Sequence, residues 1–388
     1  MKPQLLQTTV DLRTTIHDLI AALAAANVER ETECRLLVAS AVARQNLLLL
    51  CEPGVGKSRL AQHFADAIAG DFFSVLLGKA SEPAEVLGSP NLKTLAETGK
   101  RIVAGDNMLP SAHVAFLDEI FKSNSVTLNA LLTALNERRV RDDNGWREIP
   151  LRLAVAASNE VPEDDSVAAL YDRFLVRLLV TPIAGEQNFD DVVTGSLPAP
   201  PGQMLSVDDI DAAHAEAMAL PVDKVTLEAI RAIRAELRNK GVVVSDRRWA
   251  QSIALMRALA WIDGHSSVGA GAVDVLRHCT WSSPDQRPTV DEIIEGHLPK
   301  LDAAVQKIAK VLAEQDEAIR SAAALPTRSA TQERLGAVGD VLDDLESDIA
   351  KLEQEWPGAP ALGAIRARLQ TTRSTVETAS IVAFRRKA

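Results

Sequence analysis

The sequence predicts an α/β protein in which a parallel sheet covered by helices is followed by two all-helical regions. Three observations support this fold class. Short apolar strands without polar alternation each precede a helical segment, which is typical of a parallel sheet buried on both faces. Strand patterns fade after about Pro182, and apolar heptads begin beyond Leu298. We therefore predict an α/β domain at 1–185, an all-α domain at 186–292 and a triple-helical arm at 293–388.

The elements of the first domain follow one another along the chain. Residues 10–45 carry apolar residues at helical spacing, which predicts two helices before the first strand. That strand enters the segment LLLLCEPGVGKSRL at 47–60, and SRLAQHFADAIA predicts the helix after it. Further strands are predicted at FFSVLLG, HVAFLDEIF and LRLAVAASN, with the helix VTLNALLTALNERR between the last two.

Two segments interrupt this alternation of strands and helices. Residues 79–110 are rich in glycine and proline, and residues 138–152 contain Asn144-Gly145 between short flanks. Asn-Gly between two short strands is a strong indication of a tight hairpin. Both segments are predicted to be insertions at the edge of the sheet or at its ligand-facing end.

Three heptad series make up the C-terminal region. Proline-containing breaks at ALPTRS and WPGAPA separate them, so an antiparallel three-helix unit is predicted. The alternative, one long dimeric coiled coil, is disfavoured by the same prolines.

Composition narrows the classes of function. A length of 388 residues favours two or three domains, and the formal net charge of -11 argues against a general binder of nucleic acid or acidic membranes. Local basic patches remain possible. The three cysteines are widely spaced, the N-terminal residues lack a signal-peptide core, and no apolar run is long enough for a membrane span. We expect a cytoplasmic protein.

The segment EPGVGKS resembles a phosphate-binding loop between a buried strand and a helix. Gly54 and Gly56 let consecutive backbone N-H groups turn towards phosphates, Lys57 can reach the β and γ phosphates, and the Ser58 hydroxyl can ligate Mg²⁺. The predicted nucleotide-binding residues of the loop are Pro53, Gly54, Val55, Gly56, Lys57, Ser58 and Arg59.

Cys51 stands where the usual loop pattern begins with glycine. A small residue with negative φ can serve at that strand end, so we expect nucleotide binding to survive. Two interpretations remain open: a buried small apolar residue, or a reactive thiol whose pKa is lowered by the nearby helix N-terminus.

Polar residues at the ends of two later strands complete a candidate catalytic site. Asp118 and Glu119 end the strand in HVAFLDEI, where Asp118 can hold Mg²⁺ in its outer sphere and Glu119 can orient and deprotonate a water. Asn159 ends the strand LRLAVAASN and can position that water.

Three arginines are candidates for contact with phosphate. Arg173 follows a short predicted helix, and an arginine supplied by a neighbouring subunit can accelerate phosphoryl transfer roughly 10³- to 10⁵-fold. Arg247 and Arg248 begin a predicted helix of the second domain, where a phosphate-contacting arginine could couple that domain to the nucleotide.

Taken together, these residues resemble the MoxR branch of the AAA+ ATPases, and within it the RavA subfamily. The matching segments lie between about residues 25 and 290 and include SEPAEVLGSP, LLTALNERRVR and VSDRRW. The resemblance implies an AAA+ P-loop NTPase core, an all-α lid, and ATP with Mg²⁺ as ligands. It also implies Walker A at 51–58, Walker B at Asp118 and Glu119, sensor 1 at Asn159, an arginine finger at Arg173 and sensor 2 at Arg247.

Proteins of this family generally form hexameric rings with ATP at subunit interfaces. The resemblance implies a chaperone-like remodelling ATPase that works with a partner carrying a von Willebrand factor A (VWA) domain. Two features depart from the RavA pattern. The break ALPTRSATQ is too short for the β-rich module that RavA-like chains carry in the arm, and Cys51 replaces the first loop glycine.

Two alternative functions remain open at this stage. A nucleotide-gated scaffold would bind ATP and barely hydrolyse it, and the substituted loop is compatible with that function. A DNA-acting AAA+ motor is the other alternative, but the acidic balance of the chain argues against it.

Overall fold

The strands and helices follow the alternation that the apolar pattern predicts. The computed structural model describes residues 9–52, 56–100, 103–161, 167, 170–323, 325, 327–355 and 360–385. The strands are β1 (Asn46–Cys51), β2 (Phe72–Leu76), β3 (Ser89–Pro90), β4 (Val103–Ala104), β5 (Val114–Asp118), β6 (Arg139–Asp142), β7 (Gly145–Glu148), β8 (Leu153–Ser158) and β9 (Phe174–Val180). The helices up to the end of β9 are α1 (Thr9–Ala26), α2 (Glu31–Ala43), α3 (Lys57–Ala67), α4 (Pro83–Leu87), α5 (Leu92–Thr98) and α6 (Ser125–Glu137).

Helices make up the rest of the described chain. They are α7 (Glu186–Thr194), α8 (Val207–Met218), α9 (Lys224–Asn239), α10 (Asp246–Ile262), α11 (Arg287–His297), α12 (Lys300–Ala323), α13 (Arg328–Glu355) and α14 (Pro360–Arg385). Short 3-10 helices lie at Leu109–Ser111, Ile120–Lys122, Ala270–His278 and Pro284–Gln286.

A five-stranded parallel sheet with the order β2-β5-β8-β1-β9 forms the core. Every residue of β1 and β8 is buried, as their unbroken apolar sequences require. Because all five strands are parallel, the carboxyl ends of β1, β5 and β8 lie side by side. We call this end of the sheet its carboxyl edge and the end at which the strands begin the opposite edge. The predicted parallel α/β class is confirmed.

The strand β9 was not predicted from the sequence. It pairs with β1 from Asn46↔Phe174 to Cys51↔Val180 and forms an edge of the sheet. Arg177 interrupts its apolar run, yet this arginine is only 1% exposed. Its guanidinium donates a hydrogen bond to the carbonyl oxygen of Trp281, which lies in the helical lid predicted at 186–292. A local sequence pattern could not have indicated a partner so far along the chain.

Both predicted insertions form small antiparallel hairpins. In the first, β3 pairs with β4 around α5. In the second, β6 pairs with β7 with Asp142 opposite Gly145, so Asp143 and Asn144 form the turn and Gly145, with φ +109, begins β7. The predicted Asn-Gly hairpin is confirmed.

The chain divides into two compact units. The first contains the described residues up to Pro182 together with Leu197–Gly296, so the helices that follow the sheet belong to the same unit. Helix α10 packs against α2, and α8 packs against both. The predicted domain boundaries after residues 185 and 292 stay predictions, and this grouping assigns the segment Ile183–Ser196 differently.

The second unit contains Ile183–Ser196 and the residues from His297 onwards. Helices α12, α13 and α14 pack on one another around a buried core that includes Leu312, Leu342 and Leu369. Arg366 pairs with Glu353, and Arg373 pairs with Glu346, which fixes an antiparallel arrangement of α13 and α14. The three predicted helices are therefore confirmed. No helix in the described ranges is long and apolar enough to cross a membrane.

Candidate functional site

The carboxyl edge of the sheet brings the predicted loop and the predicted acids together. β8 lies between β5 and β1 in the sheet, with Leu117 opposite Ala156 and Leu50 opposite Ser158. Asn159 therefore follows the strand that separates Asp118 from the phosphate loop. Polar groups at the carboxyl ends of parallel strands are the usual ligand contacts of open α/β sheets.

Gly56 has the backbone conformation that the loop pattern predicts. Its φ of +78 lies in the left-handed region that glycine adopts without strain, and it forms the N-cap of α3. A Cβ atom at Gly56 would meet no atom of the described residues within 4 Å. Pro53, Gly54 and Val55 lie outside the described residues, and their roles stay predictions.

Lys57 and Ser58 begin helix α3 at the edge of this space. The Nζ atom of Lys57 is 3.9 Å from Oδ1 of Asp118, and the lysine side chain is only 9% exposed. Ser58 and Arg59 lie exposed on the first turn of the helix. The ammonium, the hydroxyl and the carboxylate thus lie beside the positive end of the helix dipole.

Glu119 adopts an uncommon backbone conformation next to Asp118. Its φ of +51 is left-handed, which in a residue with a Cβ costs roughly 1–3 kcal/mol, and such residues cluster at functional sites. Its backbone N-H donates to Oδ1 of Asp118 at 3.0 Å, and its Oε2 atom is 3.2 Å from Nζ of Lys122. These contacts hold the 16%-exposed carboxylate at the end of β5.

A cavity of about 290 Å³ opens at this same edge. Its lining comes from the ends of β1, β8 and β9 and from the lid, namely Leu50, Cys51, Glu52, Asn159, Glu160, Val161, Leu179, Val180, Thr181, Pro182 and Pro284. The residues from β9 and the lid were not predicted as site residues. The apolar run FLVRLLV could have indicated the β9 strand, but no local pattern indicates Pro284.

Cys51 is the last residue of β1 and is 8% exposed. It is not among the residues with positive φ, so it meets the condition under which a cysteine can replace the first loop glycine. Burial raises the pKa of its thiol to about 11, although Lys57 acts in the opposite direction. The interpretation as a thiol with a lowered pKa is therefore wrong, because desolvation outweighs the nearby positive charge.

The predicted arginines lie at the opposite edge of the sheet. Arg173 directly precedes β9, whose first residue Phe174 is opposite Asn46 at the start of β1. The five residue steps from Asn46 to Cys51 span roughly 17 Å, which is more than an arginine side chain can bridge. Arg173 is therefore separated from the phosphate loop of its own chain.

Arg247 lies beside Arg173 rather than beside the loop. Its guanidinium donates to Oδ2 of Asp172, and Nη1 of Arg173 is 3.9 Å from the same oxygen. The Arg173 side chain is 17% exposed, and neither its Nε nor its Nη1 has a hydrogen-bond partner within the described ranges. Both of these nitrogen atoms are buried, so an acceptor from another chain can reach only the exposed part of the side chain.

The residues at the carboxyl edge fit a nucleotide phosphate with Mg²⁺. The N-terminus of α3, which follows the left-handed Gly56, suits an anion, and Lys57 supplies a positive charge to it. Ser58 and Asp118 are oxygen ligands of the kind that Mg²⁺ prefers, either directly or through water.

Comparisons with known proteins identify the family of this chain. A family model described as the MoxR domain in the MoxR-vWA-beta-propeller ternary systems matches residues 14–218, more than half of the chain, and an AAA lid domain model matches residues 225–294. An uncharacterized protein of Methanocaldococcus jannaschii is 31% identical over 259 residues, covering 67% of this chain and 69% of that protein. Protein MoxR of Paracoccus denitrificans is 25% identical over 339 residues, covering 77% and 97%.

Similarity to a solved structure supports the fold alone. A protein of Cytophaga hutchinsonii described as a candidate ATPase superposes with a TM-score of 0.60 at 18% identity, over 75% of this chain and 96% of that one.

Fold and site together define a nucleotide-binding α/β protein with a phosphate loop and a helical lid. The chain belongs to the MoxR family of AAA+ ATPases. The predicted family and fold class are confirmed, whereas the finer assignment to the RavA subfamily stays a prediction.

Proposed function

We propose that this chain hydrolyses ATP at the interfaces of a ring of identical subunits. One observation carries the proposal. The carboxyl edge holds Lys57, Asp118 and Glu119, while Arg173 and Arg247 share Asp172 at the opposite edge. In P-loop NTPases an arginine supplied in cis or in trans accelerates the reaction at the phosphate loop, and the distance within one chain favours supply by a second copy. A repeated head-to-tail contact of this kind closes into a ring, for which we propose six subunits.

Each residue of the carboxyl edge has a distinct role in the proposed reaction. Bound ATP with Mg²⁺ supplies the phosphoanhydride bond that is hydrolysed. Lys57 holds the phosphates by charge, and Ser58 and Asp118 hold the cation. Glu119 orients a water and accepts its proton, which contributes typically about 10²- to 10⁴-fold in rate. Asn159 offers an amide that keeps this water in line.

The two arginines of the opposite edge act on a neighbour in this proposal. The exposed part of the Arg173 guanidinium would bind the phosphates of the neighbouring subunit, and the half-exposed Arg247 would contact the same phosphates from the lid. Because both arginines share Asp172, a movement of the lid would change the positions of both. Hydrolysis would then require assembly.

The proposed cellular role is remodelling or assembly of a protein client in the cytoplasm, together with a VWA-domain partner. The family model that matches the chain is described from MoxR-vWA-beta-propeller ternary systems, which supports a VWA protein and a β-propeller protein as partners. A search for a VWA protein encoded beside this gene, followed by co-purification of the two proteins, would test this step. If the Lys57→Ala variant no longer forms the complex, the contact between the two proteins depends on bound nucleotide.

Steady-state hydrolysis of ATP against protein concentration tests the proposed reaction. Turnover per subunit should rise cooperatively with concentration as rings form. Constant turnover down to concentrations at which light scattering shows only monomers would contradict a shared site. Binding of ATP without turnover at any concentration would favour the nucleotide-gated scaffold.

Mixing two inactive variants tests the division of the site. Lys57→Ala subunits cannot hold ATP but can offer Arg173, whereas Arg173→Ala subunits can hold ATP. In a random equal mixture about a quarter of the interfaces combine an intact loop with an intact arginine, so about a quarter of wild-type turnover should return. If mixed rings are confirmed and no turnover returns, Arg173 does not act on a neighbour.

A further inference from the structure

A second pair of arginines, Arg177 and Arg248, lies buried behind the segment that presents Arg173. Arg177 is in β9 and is 1% exposed, and Arg248 is in the first turn of α10 and is 3% exposed. Neither side chain is available to a phosphate at the surface. Both instead donate hydrogen bonds to backbone carbonyl groups.

Arg248 bonds the start of β9 to the lid. Its Nη1 and Nη2 atoms donate to the carbonyl oxygens of Phe174 at 2.9 Å and Leu175 at 2.8 Å, while its Nε atom donates to Cys279 O at 3.0 Å. Nη1 also lies 3.9 Å from Oδ1 of Asp172. The pairing of β9 with β1 is irregular here, since Leu175 has no partner residue between Asn46↔Phe174 and Leu47↔Val176, and Arg248 supplies donors to the carbonyl groups at this irregularity.

Arg177 holds the same segment from the opposite direction. Its Nη2 atom donates to Tyr171 O at 3.1 Å, its Nη1 atom donates to Trp281 O, and its guanidinium lies 3.9 Å from the centre of the Tyr171 ring. The hydroxyl of Tyr171 in turn donates to Ser282 O at 2.9 Å. Lid residues 279–282 therefore contact both ends of the segment 171–175.

This arrangement is costly as a simple means of packing. Two neighbouring positive charges are removed from water, and burial lowers the pKa of both guanidinium groups, that of Arg177 to about 9. Replacing buried ions with apolar residues of similar volume is often neutral or stabilising. What the pair provides is a set of directed bonds to the carbonyl groups on both sides of Arg173, and an arginine fork supplies such bonds in a fixed geometry.

We infer that Arg248 is a positioning residue for Arg173: from the lid it fixes the backbone from which Arg173 reaches a neighbouring subunit. Arg177 supports it by holding Tyr171. This inference rests on the proposed function. It adds that the position of the lid of one subunit sets the activity of the next subunit in the ring.

The test uses the full chain with Arg248→Met and Arg248→Lys. Methionine keeps the length of the side chain without its donors, and lysine keeps the charge but cannot reach all three carbonyl oxygens. Arg234→Ala removes an exposed arginine of the lid that contacts only Asp246 in the described ranges, and it is the matched control. The readouts are the Kd for ATP, kcat, and the turnover recovered on mixing with Lys57→Ala.

For a positioning role we expect an intact ATP site with slow chemistry. A misplacement of about 1 Å can cost about 100-fold in rate, so kcat of Arg248→Met should fall by about 100-fold while its Kd for ATP stays within about twofold. Arg248→Lys should lose less, about tenfold. Mixing either variant with Lys57→Ala should restore turnover, because the partner subunit supplies a correctly held Arg173.

Other results would overturn the inference. Wild-type kcat in Arg248→Met would show that the bonds to β9 do not position Arg173. Loss of ATP binding or of the melting transition in both variants, or absence of recovery on mixing, would assign Arg248 a structural role only. The mixture of Arg173→Ala with Lys57→Ala separates failure of this inference from failure of the proposed function. If that mixture also recovers no turnover, the proposal of a site shared between subunits is wrong.

Discussion

Replacing Asn46 with alanine should destabilise the first unit and slow hydrolysis at the same time. Asn46 begins β1 and is 5% exposed. Its Nδ2 atom donates to Leu135 O at 3.2 Å and to Arg173 O at 3.3 Å, and its Oδ1 atom accepts from Nη2 of Arg138 at 2.8 Å. One amide therefore joins the end of α6, the charged Arg138 and the backbone of Arg173.

The size of the effect follows from these three bonds. Burial lowers the pKa of Arg138 to about 10, so the guanidinium remains charged at neutral pH and needs its acceptor. A bond to a charged group contributes about 1.5–3 kcal/mol and a neutral one about 0.5–1.5 kcal/mol, and both amide bonds are long. We take the lower end of the range for each neutral bond because both are long. On that basis we expect Asn46→Ala to lower the free energy of unfolding by about 3 kcal/mol.

Urea denaturation followed by tryptophan fluorescence measures this change. Trp261 and Trp281 are fully buried in the same unit as Asn46, so their emission reports its unfolding. A loss of about 3 kcal/mol corresponds to a fall in Tm of about 6–12 °C. Turnover should also fall in the folded variant, since the carbonyl group of Arg173 is no longer held.

Asn46→Asp separates the contributions. The aspartate still accepts from Arg138 but turns a carboxylate oxygen towards the two carbonyl groups, so it should cost less than alanine only where the bond to Arg138 is the main contribution. If aspartate costs as much as alanine, the bond to Arg138 is not the main contribution. A loss below about 1 kcal/mol for Asn46→Ala would refute the reasoning as a whole.

Three further predictions concern the carboxyl edge. Glu119→Gln should bind ATP but hydrolyse it at least about 10²-fold more slowly, measured by phosphate release; wild-type turnover would exclude its role as the base. Lys57→Ala should lose ATP binding in a fluorescent-nucleotide titration, whereas Lys93→Ala, at an exposed position, should bind normally. Because the pKa of Cys51 is about 11, its alkylation by iodoacetamide should be slow at neutral pH and rise about tenfold per pH unit up to that value. Rapid alkylation at pH 7 together with loss of ATP binding would contradict this.

The sequence was most informative where a function depends on consecutive residues. The start of helix α3 at Lys57, the acids at the end of β5 and the second hairpin each combine a local pattern with a local structure, and there the pattern is sufficient. The C-terminal helices are equally visible, because heptads and prolines mark both their faces and their ends. Gly56 illustrates the reason: a left-handed backbone conformation before a helix favours glycine, so the residue type itself indicates the structure.

What the sequence could not reveal depends on contacts between distant segments. No strand was predicted at 174–180; the apolar run there indicates one, but the arginine inside it argues against burial. The charge of Arg177 is accommodated only because Trp281, far along the chain, offers its carbonyl oxygen. In the same way, VSDRRW indicates a helix start with two arginines but not which of them is buried. The structure places Arg247 on Asp172 at the surface and Arg248 in the interior.

The separation of the two edges bears on how the proposed enzyme would be controlled. An arginine supplied by a neighbour changes the rate by about 10³- to 10⁵-fold, which corresponds to roughly 4–7 kcal/mol of transition-state stabilisation. That amount is comparable to the free energy of the contacts that hold Arg173, since each bond from Asn46, Arg177 or Arg248 contributes on the order of 1–3 kcal/mol. A partner or client that shifts the lid enough to break two or three of these bonds could therefore turn hydrolysis off without touching the nucleotide. The lid, rather than the phosphate loop, is where we expect such regulation to act.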